Sequence, residues 1–431
     1  MSNQQQVNPA GSSLSEEAGY AASTAGARSR PALDGAASAM ARLLLARMLA
    51  SVGNPAVQFE LWNGQEIPRQ GQAGRFRILI RDFGALLKLV ANPELQFGEM
   101  YAARRIDVKG DLPEFLELVY RALPREDSGA KGAWRLRAFL DAQRNSPWRA
   151  KRNIRHHYDF GNDFYKLWLD RRMVYTCAYF PTRTMELEAA QLAKMDLVCR
   201  KLGLKPGERV IEAGCGWGAL ALHMAKHCGV SVQAYNISRE QMAFARERAR
   251  VEGLEGQVEF VEDDYRNAQG SFDAFVSVGM LEHVGTHRYQ ELGRVIDRVL
   301  TNHGRGLIHS IGRDYPRPMD AWTERHIFPE ACPPSLSQMM AIFEPCGFSV
   351  LDVENLRLHY AKTLEHWLAR FEAASATVAE MFSPAVARTW RLYLAGSLAA
   401  FRSGNMQLFR VVFSRAGNSC IPWTRHAPQV Y

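Results

Sequence analysis

From Met40 the chain carries apolar residues at helical spacing. Met40, Leu43, Leu44, Met48 and Val52 form a stripe flanked by Arg42 and Arg47, which predicts an amphipathic helix. The short apolar runs Ala56–Leu61, Phe76–Ile80 and Phe83–Val90 read as strands and Leu112–Arg121 as a helix, together a small α+β unit over residues 39–125. Further on, Leu187, Leu192, Met195, Val198, Cys199 and Leu202 mark a helix that stops at Pro206-Gly207. Strands and helices then alternate: Arg209–Gly214 (strand), Ala219–His227 (helix), Val230–Ile237 (strand) and Arg239–Glu252 (helix). Val258–Glu262, Phe272–Val278 and Gly306–Ile311 continue the strands. Such alternation implies a parallel sheet with right-handed crossovers, so a doubly wound α/β domain is expected over about 185–315.

The rest of the chain frames these two units. Residues 1–38 are rich in Ser, Ala, Gly and Gln, cannot bury enough apolar surface to order themselves, and are expected to be a disordered tail. Glu16, Glu17 and Asp34 argue against a transit peptide. A linker is expected over 126–147, opened by the turn-rich stretch from Pro124 to Gly132, and the larger domain over 148–431. The length of 431 residues suits two or three units of ordinary size, and 47% apolar residues exclude a wholly disordered chain.

Charge and cysteines narrow the setting. Lys plus Arg number 53 and Asp plus Glu 45, a surplus of +8 that favours phosphate-bearing partners without choosing between lipid and nucleic acid. The seven cysteines are scattered and never spaced C-x-x-C, which argues against a disulfide framework or a structural zinc site and fits a reducing compartment. No apolar run approaches the roughly 18 residues needed to span a bilayer. A cytoplasmic protein that touches the inner face of the membrane peripherally is the expectation.

The first strand of the larger domain ends in Glu212-Ala-Gly214-Cys-Gly216-Trp-Gly218 and runs straight into a helix. Glycines there let the backbone turn sharply and approach a ligand at the carboxyl ends of the strands, although a plain tight βα turn uses the same residues. With Glu212 before the glycines and Tyr235-Asn236-Ile-Ser238-Arg-Glu-Gln241 closing the second strand, the region resembles class I S-adenosylmethionine-dependent methyltransferases. The resemblance implies a doubly wound, mostly parallel seven-stranded sheet. It also implies a cofactor site of Tyr175, Thr176, Glu212, Gly214, Gly216, Gly218, Asn236, Ser238 and Gln241, with Asp264 and Tyr265 near the adenine. Many of the family bind the ribose through an acidic side chain after the second strand; here Asn236 and Gln241 stand in its place. Asp264 and Tyr265 also read as a helix cap and a packed aromatic.

Further strings are more specific. His157-Tyr-Asp-Phe-Gly-Asn-Asp-Phe-Tyr165, Met173-Val-Tyr-Thr-Cys-Ala-Tyr-Phe180, Ser277-Val-Gly-Met-Leu-Glu-His-Val-Gly285, His309-Ser-Ile-Gly312, Ile327-Phe-Pro329 and Val411-Val-Phe-Ser-Arg415 resemble the cyclopropane-fatty-acyl-phospholipid synthases, over about 150–420. The resemblance implies transfer of a methyl group from S-adenosylmethionine to a cis double bond of a phospholipid acyl chain. The alkene must be aligned with the methyl, because it is a feeble nucleophile, and the resulting carbocation must be sheltered from water. Tyr158, Tyr179, Phe180 and Phe401 are candidates for stabilising that cation through their ring faces. The family holds bicarbonate as general base, and the carried-over ligands are Cys177, Glu282, His309, Ile311 and Tyr360. Taken singly, the thiol, imidazole and phenol also read as ordinary buried groups. A cysteine found in the C-terminal helix of many members falls on Ser397 here, which weakens any nucleophilic role for that position.

Implied partners are phospholipid acyl chains and an anionic membrane surface, with no nucleic acid and with room for a homodimer. The basic segment Arg144–His157, with Trp148 among five Lys/Arg, is a candidate contact for anionic headgroups, and the Met40–Val52 helix another through Leu43, Leu44 and Met48. His283 and His287 stand four apart, but Gly285 between them and the lack of a third ligand argue against a metal. Competing outcomes are a methylene- or methyl-branched lipid, a small-molecule methyltransferase, and a non-catalytic lipid- or cofactor-binding protein.

Overall fold

A computed structural model of the chain describes residues 31–67, 75–123 and 160–421. The N-terminal unit opens with helix α1 (Pro31–Ser51), which begins before the expected end of the tail at residue 38. Strands β1 (Val57–Glu60), β2 (Glu66–Ile67), β3 (Phe76–Ile80) and β4 (Ile106–Lys109) form a sheet in the order β2-β1-β3-β4. The run Phe83–Val90, expected as a strand, is instead helix α2 (Phe83–Ala91). Asp82 accepts a hydrogen bond from the Ala85 amide at 2.9 Å and so caps it, and Ala85, Leu86 and Leu89 share its buried face. An eight-residue apolar run fits either element, and here the cap decides. Helices α3 (Pro93–Ala102) and α4 (Leu112–Ala122) are capped in the same manner by Asn92 and Asp111.

The larger unit runs α5 (Gly161–Lys166), α6 (Leu187–Leu202), β5 (Arg209–Ala213), α7 (Ala219–Cys228), β6 (Ser231–Asn236), α8 (Arg239–Glu252), β7 (Val258–Glu262) and β8 (Phe272–Val278). It continues with α9 (Tyr289–Val299), β9 (Leu300–Gly312), α10 (Ala321–His326), α11 (Leu336–Phe343), β10 (Phe348–Asn355), α12 (Arg357–Ala373), α13 (Ser375–Met381), α14 (Pro384–Ser403) and β11 (Gln407–Arg415). The seven-stranded sheet has the order β10-β11-β9-β8-β5-β6-β7. Strands β7, β6, β5, β8 and β9 are parallel, whereas β11 runs antiparallel to both neighbours. The order reverses at β5, between β6 and β8, which opens a crevice at the carboxyl ends of these strands. The expected doubly wound, mostly parallel sheet is therefore present.

The two units share one apolar cluster, in which Phe59, Tyr101 and Phe115 of the first join Trp168, Trp367 and Trp390 of the second. Arg388 on α14 lies 3.9 Å over the Tyr101 ring and donates to the Tyr101 carbonyl at 2.7 Å, while Arg391 donates to the Tyr101 hydroxyl at 2.8 Å. A desolvated cation–π contact of this kind is worth about 2 kcal/mol. Gly98 on α3 admits the Trp322 indole so closely that a Cβ there would lie 2.2 Å from it. The N-terminal unit is thus packed onto the helices that roof the sheet.

Candidate active site

Each glycine of the turn after β5 has its own physical reason. Gly214 (φ +82°) and Gly218 (φ +78°) are packed positions, where a Cβ would meet Met280 at 2.9 Å and the Phe260 ring at 2.6 Å. Gly216 (φ +54°) faces open space: a Cβ there would meet no atom within 4 Å, so this is where a ligand can approach the backbone. The hollow beside it is lined by Tyr175, Thr176, Lys194, Glu212, Trp217, Asn236 and Gln241.

Asn236 donates to the Gly216 carbonyl at 3.2 Å and to Gln241 Oε1 at 2.8 Å, and Gln241 Nε2 is buried with no partner among the described residues. Glu212 is also buried, its Oε2 without a partner among the described residues, and burial pushes its carboxyl up to about 8 against the pull of Lys194. Unsatisfied donors and acceptors facing a hollow are what a polar ligand would complete. Ser238, buried, precedes α8 and donates its amide to Asn236 Oδ1 at 3.2 Å.

A second hollow continues the first across Gly214, Asn236, Met280 and His283, and Asp264 and Tyr265 line it. The helix-cap reading of Asp264 holds in the structure. It caps the turn Tyr265–Asn267 and ion-pairs with Arg266 at 2.6 Å; burial would raise its carboxyl, but Arg266 holds it below the usual range.

On the other side, Tyr175, Thr176, Gly279 and His283 are shared walls between the glycine-turn hollow and a larger, mainly apolar pocket. Cys177, Glu282, His309, Ile311 and Tyr360, the five expected ligands of a small anion, all line that pocket. His309 comes from β9, Glu282 from the turn after β8, Tyr360 from α12 and Cys177 from the loop after α5. Burial pushes the His309 imidazole well below its usual value, and neither ring nitrogen has a partner among the described residues. Burial likewise pushes the Cys177 thiol up to about 12, so it is a protonated, weak donor and not a nucleophile.

Glu282 Oε1 accepts the Ile311 amide at 2.5 Å, its Oε2 is buried without a partner among the described residues, and burial pushes the carboxyl up to about 7. The Ile311 amide is thereby committed to Glu282 and the Cys177 thiol donates to the Ala178 carbonyl at 3.0 Å, so among the described residues the His309 nitrogens and Glu282 Oε2 are the groups with open bonding capacity towards an anion. Ser397 also lines the pocket.

Three expectations need correction. Tyr179 and Phe180 do not line the pocket: Tyr179 stacks on His359 at 4.8 Å, while Phe180 stacks on His366 at 5.7 Å and gives its amide to His359 Nδ1. After Cys177 the chain is tied outward, its next amide bonded to Thr363 Oγ1, so these rings turn towards α12 and away from the cavity. The aromatic residues that do face it are Tyr175, Phe328, Tyr360, Tyr393 and Phe401, with Tyr360 and Phe401 at 4.5 Å. Met48 does not reach a surface either; it packs in the core with Ala41 and Leu45, while Met40 and Leu43 stay exposed. Tyr158 and the basic segment Arg144–His157 lie outside the described residues.

Sequence reasoning missed residues that tertiary contact brings in. His283 lines all three hollows, and burial pushes its imidazole down to about 4. Lys194, buried in α6, donates to Thr176 Oγ1 at 3.1 Å. Glu94, Phe97, Gly98, Leu116 and Tyr120 of the N-terminal unit supply part of the apolar pocket wall. The helical period of α4 marks Leu116 as inward-facing, but nothing local says that inward means towards a second unit. Among the described residues no helix is long and apolar enough to cross a membrane.

Comparison with known proteins agrees with this geometry. A family model described as mycolic acid cyclopropane synthetase matches residues 145–411, and one for a domain of unknown function matches 44–126. A probable fatty acid methyltransferase of Pseudomonas putida is 34% identical over 388 residues, covering 86% of this chain and 95% of its own. The cyclopropane-fatty-acyl-phospholipid synthase of Escherichia coli is 43% identical over 260 residues, 60% of this chain and 66% of its own. Among solved structures, mycolic acid cyclopropane synthase CmaA1 complexed with SAH and CTAB superposes with a TM-score of 0.59 at 29% identity, covering 62% of this chain and 98% of its own.

Proposed function

The chain belongs to the mycolic acid cyclopropane synthetase family, as an S-adenosylmethionine-dependent methyltransferase, and from that premise we propose its reaction. The substrate is the cis double bond of an unsaturated phospholipid acyl chain, and the product is a cyclopropane ring. The observation that carries this reading is that Tyr175, Thr176, Gly279 and His283 line both the glycine-turn hollow and an apolar pocket containing His309, Glu282, Cys177 and Tyr360.

The residues present fit both small groups. Glu212 and Gln241 offer buried, unsatisfied polar atoms beside Gly216, and S-adenosylmethionine, when bound there, supplies an electrophilic methyl carbon. The apolar wall, including Leu116 and Phe97, would align the alkene and exclude water from the cation. The faces of Tyr360, Phe401, Tyr393 and Phe328 line the same space and would stabilise positive charge.

Bicarbonate, held between the His309 nitrogens, the Tyr360 hydroxyl, the Cys177 thiol and Glu282, would supply the base that removes the surplus proton. Two bare anions in contact repel, but a Glu282 carboxyl pushed up to about 7 retains a proton in much of the population at neutral pH, so it can donate to the anion. The N-terminal unit, in this reading, holds lipid at an anionic membrane surface on the cytoplasmic side.

Mass spectrometry of host lipids after expression tests the reading: each modified unsaturated chain should gain about 14 mass units, one CH₂, because the cofactor donates a single carbon. Mild diimide reduction should leave the products unchanged, since a ring has no double bond. Uptake of two hydrogens would mean a methylene branch, and no mass gain despite abundant enzyme would refute lipid methylation.

A further inference from the structure

Three neighbouring strands place Glu354, Arg410 and His309 in one row, Arg410 being registered opposite Glu354 on β10 and opposite His309 on β9. Residues directly opposed in antiparallel strands carry their side chains on the same face, with Cβ atoms about 4.5–5.5 Å apart. The row ends at the pocket wall, because His309 lines it.

The Arg410 side chain is 0% exposed. Its Nη1 donates to Glu354 Oε2 at 3.3 Å, but Nε and Nη2 are buried with no acceptor among the described residues. Glu354 is itself shared with Lys201, at 3.3 Å. Beyond its Glu354 bond the guanidinium has, among the described residues, only the Tyr179 ring, 6.0 Å away, and a buried ion pair of this kind is weak evidence of a stabilising role, since whole pairs are often replaced by apolar residues without loss. The charge needs another reason.

The chemistry of the pocket supplies one. An inorganic anion buried among a neutral imidazole, a phenol, a thiol and a carboxyl meets no positive group in its own contact set. Arg410 is the cation next to it in the sheet, and the field of Arg410, with that of Lys194, adds to burial in keeping the His309 imidazole neutral.

We propose that Arg410, registered opposite His309, is a positioning residue for the anion, its buried charge offsetting that of bicarbonate. This rests on the bicarbonate reading above.

The test uses the full chain with Arg410→Gln and Arg410→Lys. Methyl transfer from labelled S-adenosylmethionine to unsaturated phospholipid vesicles is followed in bicarbonate-depleted buffer as bicarbonate is added back. The half-saturating bicarbonate concentration should rise about tenfold or more in Arg410→Gln, from loss of one charge several ångströms away. Arg410→Lys should recover most of that loss, with cofactor affinity by calorimetry near wild type in both variants, whatever thermal stability Arg410→Gln loses with the Glu354 pair. Unchanged bicarbonate dependence in Arg410→Gln, or a loss confined to stability and cofactor affinity, overturns the role of Arg410. A wild-type enzyme indifferent to bicarbonate overturns the anion reading instead, and Arg410's role falls with it.

Discussion

Replacing Glu282 with Gln should stabilise the ligand-free protein more as pH rises, while stopping turnover. Burial lifts the Glu282 carboxyl from 4.5 to about 7. Between those values the unfolded chain releases its proton and the folded chain keeps it, so wild-type stability falls with rising pH. The glutamine is neutral in both states and is spared. Its Oε1 can still accept the Ile311 amide, so any fixed cost of the new NH₂ is the same at every pH.

With 1.36 kcal/mol per pKa unit, the wild-type carboxyl loses about 1 kcal/mol by pH 5 and about 3 kcal/mol by pH 8. The variant should therefore gain about 2–3 kcal/mol on the wild type between these pH values. Urea unfolding of both proteins at pH 5, 6, 7 and 8, without cofactor or bicarbonate, measures it. A stability difference flat across that range would refute the claim that Glu282 is held protonated by burial. A difference of opposite slope would mean that an unseen cation pairs with it.

Other outcomes follow from the same geometry. Gly216→Val meets no atom within 4 Å, so apart from the backbone strain of a β-branched residue at φ +54° it should leave the packing intact, yet weaken cofactor binding by about a hundredfold or more in calorimetry; Gly218→Val should be the more destabilising, since it adds a clash with Phe260. Leu116→Trp, in the N-terminal unit, should raise the apparent KM for long-chain phospholipid vesicles without changing cofactor affinity, since Leu116 lines the apolar pocket but not the glycine-turn hollow. An unchanged preference across acyl lengths would remove that unit from the substrate site. His309→Ala should cost activity with cofactor binding retained; full activity would remove the anion from the reaction.

Local pattern alone was enough for much of the larger domain. Arg239–Glu252, Val258–Glu262 and Phe272–Val278 are located with the boundaries that the fold shows, the first two by periods of 3.6 and 2 with one buried side and the last as a continuous apolar run buried on both faces. The spacing of Glu212, Gly214, Gly216 and Gly218 is equally legible, since a turn that tight at a strand end demands those residues in consecutive order. The grouping of His309 with Glu282, Cys177 and Tyr360 is legible only through likeness to a family, because four separate elements supply them.

Tertiary structure decided what spacing could not carry. The Phe83–Ala91 helix was within reach of local reading, through the Asp82 cap, but Tyr179 and Phe180 turned from the cavity because the distant Thr363 and His359 hold the neighbouring amides. The pocket wall given by Leu116 and Phe97, and the row joining Arg410 to His309 about a hundred residues earlier, depend on which surfaces meet after the chain has folded. A residue's period reports which side of its own element is buried; it carries no information about what lies on the other side of that contact. Elements and their inward faces are therefore a property of the sequence, whereas the shape and the charge of the cavity between them arise only when the layers pack.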